Sequence, residues 1–182
     1  MPHKFKIGVG GCPNNCIKPD LNDLGVIGQM VPVFDEDLCN GCRKCSVVDV
    51  CPMDAAKVVD GVLNIDEDIC NNCGRCIGKC HFDAIEEGKP GYKITIGGRW
   101  GKKTNKGLAI SKIFKDEEEV MSAIEKMILI YREQGITGER LADTIERIGF
   151  ENIEAQLLSD EILERKQEIL DVKLHLTGGA TC

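Results

Sequence analysis

"DEDLCNGCRKCSVVDVCP", residues 35–52, and "DEDICNNCGRCIGKCH", residues 66–81, are two versions of one pattern. Their first eleven residues agree at seven positions, 31 residues apart, which marks an internal repeat. One copy carries a C-x2-C-x2-C triplet at Cys39, Cys42 and Cys45, followed by Cys51. The other carries Cys70, Cys73 and Cys76, followed by Cys80. Three thiolates this closely spaced can wrap three irons of one iron–sulfur cubane, with the fourth ligand supplied from elsewhere. Zinc is the competing reading, because C-x2-C pairs also build zinc ribbons. A tetrahedral ion, however, needs two pairs, not two triplets each with a trailing cysteine.

The rest of the composition agrees with reduced, metal-binding thiols. Eleven cysteines in 182 residues are an odd number, no export signal precedes them, and most fall in the triplets. A secreted disulfide framework does not look like this. No apolar run approaches the roughly 18 residues needed to span a bilayer. The expectation is a cytoplasmic protein without a membrane span. The net charge of −7 argues against a nucleic-acid partner. It is unevenly spread: residues 1–115 carry 16 Lys and Arg against 14 Asp and Glu, and residues 116–171 carry 6 against 16. The later segment reads as solvated acidic helices.

On either side of the cysteines the pattern is that of an ordinary α+β domain. Residues 4–10 alternate, with Phe5, Ile7 and Val9 on one face and Lys4, Lys6 and Gly8 on the other, as a strand requires. "GVIGQMVPVF" (25–34) reads as a strand broken by Pro32. After Gly91 a strand "YKITIGG" leads into the basic loop "GGRWGKKTNKG" and a further strand "LAISKIF". Asp116 caps a helix with Glu117, Glu118 and Glu119 in its first turn and Val120, Ile124, Met127, Ile128 and Tyr131 as its apolar stripe. Thr137 is expected to cap a second helix, with Leu141, Ile145 and Ile148 inward and Gly149 ending it. One or two more helices fill 151–171.

Two resemblances add to this reading. The cysteine runs resemble bacterial 2[4Fe-4S] ferredoxins, in which the fourth cysteine of each run ligates the other cluster. That resemblance implies Cys39, Cys42, Cys45 and Cys80 around one cluster and Cys70, Cys73, Cys76 and Cys51 around the other. The first run departs from the ferredoxin pattern in having five residues before Cys51, so a small loop must bulge there. The second has His81 where proline is usual, a surface or packing residue because all eight thiolate positions are filled.

The stretch "GCPNNCIKPDLNDLGVIG" (11–28), with "GYKITIGGRWGKK" and "GERLADTIERIG" further on, resembles the sirohaem-dependent nitrite and sulfite reductases. The insertion of a ferredoxin is similar to the anaerobic and dissimilatory-type sulfite reductases. The resemblance implies a sirohaem half-domain over 1–34 and 89–182, a mixed sheet with helices, interrupted by a ferredoxin domain over 35–88. It implies that Cys12 and Cys16 are half of the ligand set of a further [4Fe-4S] cluster coupled to sirohaem. If Cys12 ends a strand and Pro13 starts a helix, the two thiols lie four apart on one helical face, where backbone N–H groups favour thiolate. Lys4 and Lys6 match the catalytic Lys-x-Lys that holds the oxyanion substrate, though an edge strand can also carry two lysines facing solvent. Arg99, Lys102 and Lys103, with Lys106, suit the carboxylates of sirohaem, with Gly97, Gly98 and Gly101 allowing close approach, or form a solvated basic loop. Asn14, Asn15 and Asn22 are polar contacts or turn caps.

The C-x5-C pair that completes the third cluster in that family has no counterpart here, and Cys182 is the one spare cysteine. The expectation is that Met1 cuts through a longer protein or marks a split subunit. The function so implied is the iron–sulfur, sirohaem-binding portion of a sulfite or nitrite reductase. It would pass electrons from a donor or partner subunit through two clusters toward six-electron reduction. The alternative is an electron-transfer protein with a non-functional sirohaem-domain remnant.

Overall fold

In the computed structural model, which describes residues 1–172, β1 (Ile7–Gly10) pairs in parallel with β2 (Leu24–Pro32), Ile7 opposite Leu24 and Gly10 opposite Ile27. β5 (Gly88–Ile96) pairs antiparallel with β6 (Leu108–Phe114), Tyr92 opposite Phe114 and Ile96 opposite Leu108. The order is β1-β2-β5-β6, a mixed four-stranded sheet. The strand near residues 5–10 is expected beside those near 92–98 and 107–113; β2 lies between.

β1 is also shorter than its alternation suggests, and its sides are exchanged. Ile7 and Val9 are 42% and 61% exposed, and the inward positions are Gly8 and Gly10. A Cβ on Gly8 would meet Asn22 at 2.5 Å and Pro19 at 3.0 Å; one on Gly10 would meet Pro19 at 2.9 Å. The turn through Pro19–Leu21 presses on the strand there, so a Cβ at either position would force the Asn22 side chain or the Pro19 ring to shift. Phe5, just before β1, does turn to the core, its ring 5.9 Å from that of Tyr131.

The described residues divide into two compact units: Met1–Gly10 with Asn15–Ile27 and the described residues from Tyr92 onward, and Gly11–Asn14 with Gly28–Gly91. The first is built on helices. α2 (Glu117–Gln134) starts where Asp116 Oδ1 accepts the Glu119 N–H at 2.8 Å. It buries Val120, Ala123, Met127, Ile130 and Tyr131 against Leu24, Ile94, Ile96 and Phe114. Ile124 and Ile128 of the expected stripe are only half-buried. α3 (Leu141–Ile148) begins a turn later than a Thr137 cap would place it. Gly138 is left-handed (φ 90°), and Arg140 is the cap, with Asp143 accepting its N–H at 3.2 Å. Gly149 (φ 97°) ends α3 as expected, and α4 (Phe150–Leu158), α5 (Glu161–Glu164) and α6 (Lys166–Asp171) follow.

The second unit has a small core of Val47, Ala56, Leu63 and Ile85, with Cys39, Cys45, Cys51, Cys76 and Cys80 packed against it. The five-residue gap before Cys51 is not a bulged loop but a single helical turn, α1 (Ser46–Val50), which buries Val47. A hairpin follows that the cysteine pattern does not announce: β3 (Ala56–Val59) and β4 (Val62–Ile65), closed by Asp60 (φ 51°) and Gly61 (φ 82°). Asp-Gly between two apolar runs is the signature of that two-residue turn.

Candidate metal centres

The two cysteine turns are built alike. Gly41 in the first C-N-x-C and Asn72 in the second are both left-handed, with φ 58° and 54°. These are two residue types that tolerate that conformation. After the trailing cysteines, Asp54 (φ 54°) and Asp83 (φ 57°) turn the chain into buried Ala55 and Ala84. The repeat therefore runs on through a C-x-x-D-A match, Cys51–Ala55 against Cys80–Ala84, beyond the eleven residues first compared.

Cys51, Cys70, Cys73 and Cys76 line one cavity, together with Pro32, Pro52, Ile65 and Asn71. They surround a small cavity of about 20 Å³. Among the described residues no group of three or more His, Cys, Asp or Glu is placed to hold a single metal ion. A tetrahedral zinc would need sulfurs roughly 3.8 Å apart, given a Zn–S bond of about 2.3 Å. A donor set of four thiols around a cavity fits a cubane better. Burial raises the Cys51 thiol, but N–H groups of Met53, Ala56 and Ala55 outweigh it and the net shift is downward, toward thiolate. Burial pushes Cys76 up, and the neighbouring Cys70, Cys73 and Cys51 add to the rise. A cluster's irons would relieve that crowding of like charge. The Asn71 Oδ1 is buried without a hydrogen-bond partner. Turned over, the amide would offer N–H, which a cluster sulfide accepts. At the other turn, Leu63 N–H points to Cys39 Sγ at 3.4 Å, a donor suited to a bound thiolate.

Cys12 and Cys16 are both exposed, and no helix joins them. Asn15 (φ 56°) and Lys18 (φ 49°) are left-handed, Lys18 N–H donates to the Asn15 carbonyl at 3.0 Å, and Asn15 Nδ2 donates to Asp20 Oδ1 at 2.8 Å. Tight turns replace the helix expected from Pro13. Cys12 falls in the Gly11–Asn14 segment of the cysteine-rich unit and Cys16 in the Asn15–Ile27 segment of the other.

In the helical unit, a cleft of about 360 Å³ is lined by Lys6, Ile17, Lys18, Leu21, Asn22, Trp100 and Arg140. Lys18 Nζ stands 5.7 Å from the centre of the Trp100 ring, and Trp100 is 66% exposed. The cleft takes in Lys6 of the two expected substrate lysines; Lys4 is exposed and does not line it. Both precede β1, so strand alternation does not set their directions. Beneath the cleft, Asp23 is fully buried and accepts the Lys6 backbone N–H at 3.0 Å and the Arg140 guanidinium at 2.6 and 3.2 Å. This ties the Lys6 backbone to α3.

The basic loop is closed by backbone pairing of Arg99 with Asn105 at 2.8 and 2.9 Å. Arg99 itself is committed to Asp143 by hydrogen bonds of 3.0–3.2 Å, and Lys106 lies 3.4 Å from Asp20. Lys102 and Lys103 are exposed at its tip. Nothing in the sequence pattern singles out Lys18, Trp100 or Arg140. Arg140 meets Asp23 from 117 residues away, a separation that leaves no local pattern.

Comparison with known proteins places this arrangement. Residues 1–166 match the family described as the nitrite and sulphite reductase 4Fe-4S domain, and the chain belongs to that family. Over 153 residues it is 34% identical to the coenzyme F420-dependent sulfite reductase of Methanocaldococcus jannaschii, covering 82% of this chain and 24% of that one. An uncharacterized protein of the same organism is 32% identical, with 84% and 52% covered. A subunit of the anaerobic sulfite reductase of Salmonella typhimurium is 43% identical over 44 residues, 24% of this chain and 13% of that one. The crystal structure of dissimilatory sulfite reductase I superimposes with a TM-score of 0.59 at 26% identity, covering 86% of this chain and 43% of its own. The chain thus spans about a quarter to a half of the length of the longer matches. It is an iron–sulfur, sulfite-reductase-like protein, and no helix among its described residues is long and apolar enough to cross a membrane.

Proposed function

We propose that the chain is the electron-transfer portion of a sulfite reductase, carrying two [4Fe-4S] clusters in a ferredoxin-type insert. Cys39, Cys42, Cys45 and Cys80 hold one cluster, and Cys51, Cys70, Cys73 and Cys76 the other. The single observation behind the reading is the cavity that gathers the trailing cysteine of the first run, Cys51, with the triplet of the second. That crossed set is the ligand pattern of two-cluster ferredoxins. Sulfite is preferred to nitrite as the substrate of the complete enzyme because the named relatives are sulfite reductases. A reducing, cytoplasmic setting suits ten free thiols among the described residues.

A bound cluster supplies one electron at a time at low potential. The protein's part is to give the thiolates, to surround them with N–H donors from Met53, Ala55, Ala56 and Leu63, and to keep the Cys51 cavity largely apolar. In the helical unit, Lys6 and Lys18 give the cleft a positive wall, suited to an oxyanion or to the carboxylate arms of sirohaem, while Arg140 is held by Asp23. Lys102 and Lys103 remain available for such arms at the loop tip, and Lys4 for the substrate. Arg99 acts by holding the loop through Asp143. Cys12 and Cys16 provide two of the four thiolates that a sirohaem-coupled cluster requires; the other two must come from elsewhere in an assembled enzyme.

Anaerobic reconstitution with iron and sulfide tests this. The expected result is about eight irons and eight sulfides per chain, with the EPR of two reduced [4Fe-4S] clusters. Stoichiometric zinc with little sulfide would overturn it.

A further inference from the structure

The two cysteine turns are copies in sequence, but they rest on different supports. The first lies on the β3–β4 hairpin: Leu63 N–H points to Cys39 Sγ, and a Cβ on Gly41 would sit 2.0 Å from the Gly61 carbonyl oxygen. The second lies on β2. Met30 N–H donates to the Asn72 carbonyl at 2.8 Å, Met30 bridges in parallel to Cys73, and Asn72 Nδ2 donates to Gln29 Oε1 at 3.1 Å. Gln29 is buried, so this hydrogen bond satisfies a side chain that water cannot reach well. The residue before Gln29 is Gly28, and a Cβ there would stand 2.5 Å from the carbonyl oxygen of Gly11, the neighbour of Cys12. Three consecutive residues of β2 therefore touch the Cys12 turn at one end and the Cys70–Cys73 turn at the other. Two strand steps span about 7 Å. Nothing comparable connects the Cys39–Cys42 turn to Gly11–Asn14 among the described contacts.

The same arrangement accounts for the difference between C-N-G-C and C-N-N-C. Position 41 must be glycine because the hairpin's backbone fills the space a side chain would need. Position 72 keeps the left-handed turn with asparagine, and its amide makes the contact with Gln29.

We infer that Asn72 and Gln29 are the positioning pair that sets the Cys70–Cys76 side of the cysteine-rich unit, and not the Cys39–Cys45 side, against Cys12. An electron passing toward Cys12 passes from the quartet Cys51, Cys70, Cys73 and Cys76, and not directly from the quartet Cys39, Cys42, Cys45 and Cys80. The transfer is of one electron, with no bond made and no proton moved. The inference deepens the function proposed above and rests on it for the clusters, but not for the packing of the turns.

The experiment uses two readouts on the full chain. The first is amide hydrogen exchange at Gly11–Asn14 and Gly28–Met30. Asn72→Gly, which copies the residue of the first repeat, and Gln29→Ala should each speed exchange there about fivefold to tenfold, the effect of losing one hydrogen bond. Gly41→Ala, which disturbs the other turn, should leave those amides unchanged. The second is the relaxation of a nitroxide on Cys12, with Cys16 and Cys182 replaced by serine, in the reconstituted and reduced protein. Asn72→Gly should weaken the enhancement by the clusters at unchanged iron content, and Gly41→Ala should not. A response to Gly41→Ala with none to Asn72→Gly or Gln29→Ala, in either readout, overturns the assignment. A protein that takes up zinc instead of iron would sink the proposed function, while the exchange readout would still decide the packing.

Discussion

The cysteine-rich unit and the helical unit are held together by opposite means. The first has four fully apolar core residues, Val47, Ala56, Leu63 and Ile85, and packs its thiols onto them. The second buries eighteen hydrophobic residues in one cluster and adds the ion pairs Asp23–Arg140 and Arg99–Asp143. A core of four fully buried side chains cannot offset the ordering of nearly 70 residues, at roughly 1–2 kcal/mol each for the backbone alone. On the proposed function, metal–thiolate bonds supply the difference, as they do in small metallo-domains. Two ways of making a stable unit therefore sit in one chain, one dependent on its cofactor and one on apolar burial.

Removing the iron should break this symmetry of order most visibly. With a chelator and an oxidant, amides of residues 28–91 that now donate within the unit, among them Cys70 to Asp66 and Gly78 to Ile85, should exchange as in an unfolded chain. Amides of Tyr92–Ile96, β6 and α2 in the helical unit should keep their protection. Equal loss in both units would refute the division of labour. On the same logic, Cys51→Ala should remove about half of the iron, since a cubane lacking one thiolate is lost, and Cys12→Ala should remove none. Metal analysis of the two variants checks it.

The next effect lies in the helical unit, where no metal is at stake. Asp23→Ala deletes a fully buried carboxylate and leaves the Arg140 guanidinium, 14% exposed, without its partner. Breaking a buried pair in this way costs about 3–5 kcal/mol. It also frees the Lys6 N–H, so the backbone at Lys6 should lose its tie to the cleft. Asp23→Asn, which keeps the acceptor and gives up the charge, should fall between. Denaturant midpoints followed through helical amides measure both, and a loss below about 1 kcal/mol for the alanine variant would show that the pair contributes little.

The contrast between the units also governs how much the sequence can disclose. The eight cysteines proposed as ligands are near neighbours along the chain, so spacing alone singles them out, and the periodicity of α2 and the Gly149 stop are equally local. The helix expected after Pro13 does not form, because Asn15 and Lys18 take left-handed turns that bring Asn15 to Asp20. Alternation puts Ile7 and Val9 on one face with Phe5, yet both are exposed while Phe5 turns to the core, and the Pro19–Leu21 turn packs close against Gly8 and Gly10. Arg99 reads as a free cation in an acid-free loop, but its acid, Asp143, is 44 residues on. The site in the helical unit is assembled by such long-range partners, and no spacing rule encodes them. The hairpin at Asp60-Gly61 is different, because its turn signal is local and legible but lies among cysteines whose pattern overshadows it.

The smallest effect sharpens the comparison through pH. Glu139, in the turn before α3, accepts hydrogen bonds from Arg147 at 2.9 and 3.0 Å and from Thr144 at 3.0 Å. The Arg147 guanidinium above all, then the Ile136 N–H and Thr144, outweigh the upward push of burial and hold its carboxyl down at about 2 from the usual 4.5. A carboxyl whose folded value is depressed stabilises the fold above its unfolded value and loses that contribution as the pH falls through the folded one. The window is therefore pH 4.5 down to about 2, with no change expected near neutrality. Glu139 and Arg147 are 21% and 40% exposed, so solvent screening reduces the full linkage to about 1 kcal/mol. Clusters fail in acid in any variant, so the comparison is between wild type and Arg147→Gln, both read at the amides of α3. The difference in their stability should shrink as the pH is lowered from about 5 to about 2.5. A difference that stayed constant over that range would mean that Arg147 supports the turn through its bond to the Gln134 carbonyl at 2.7 Å, and that the charge on Glu139 contributes nothing.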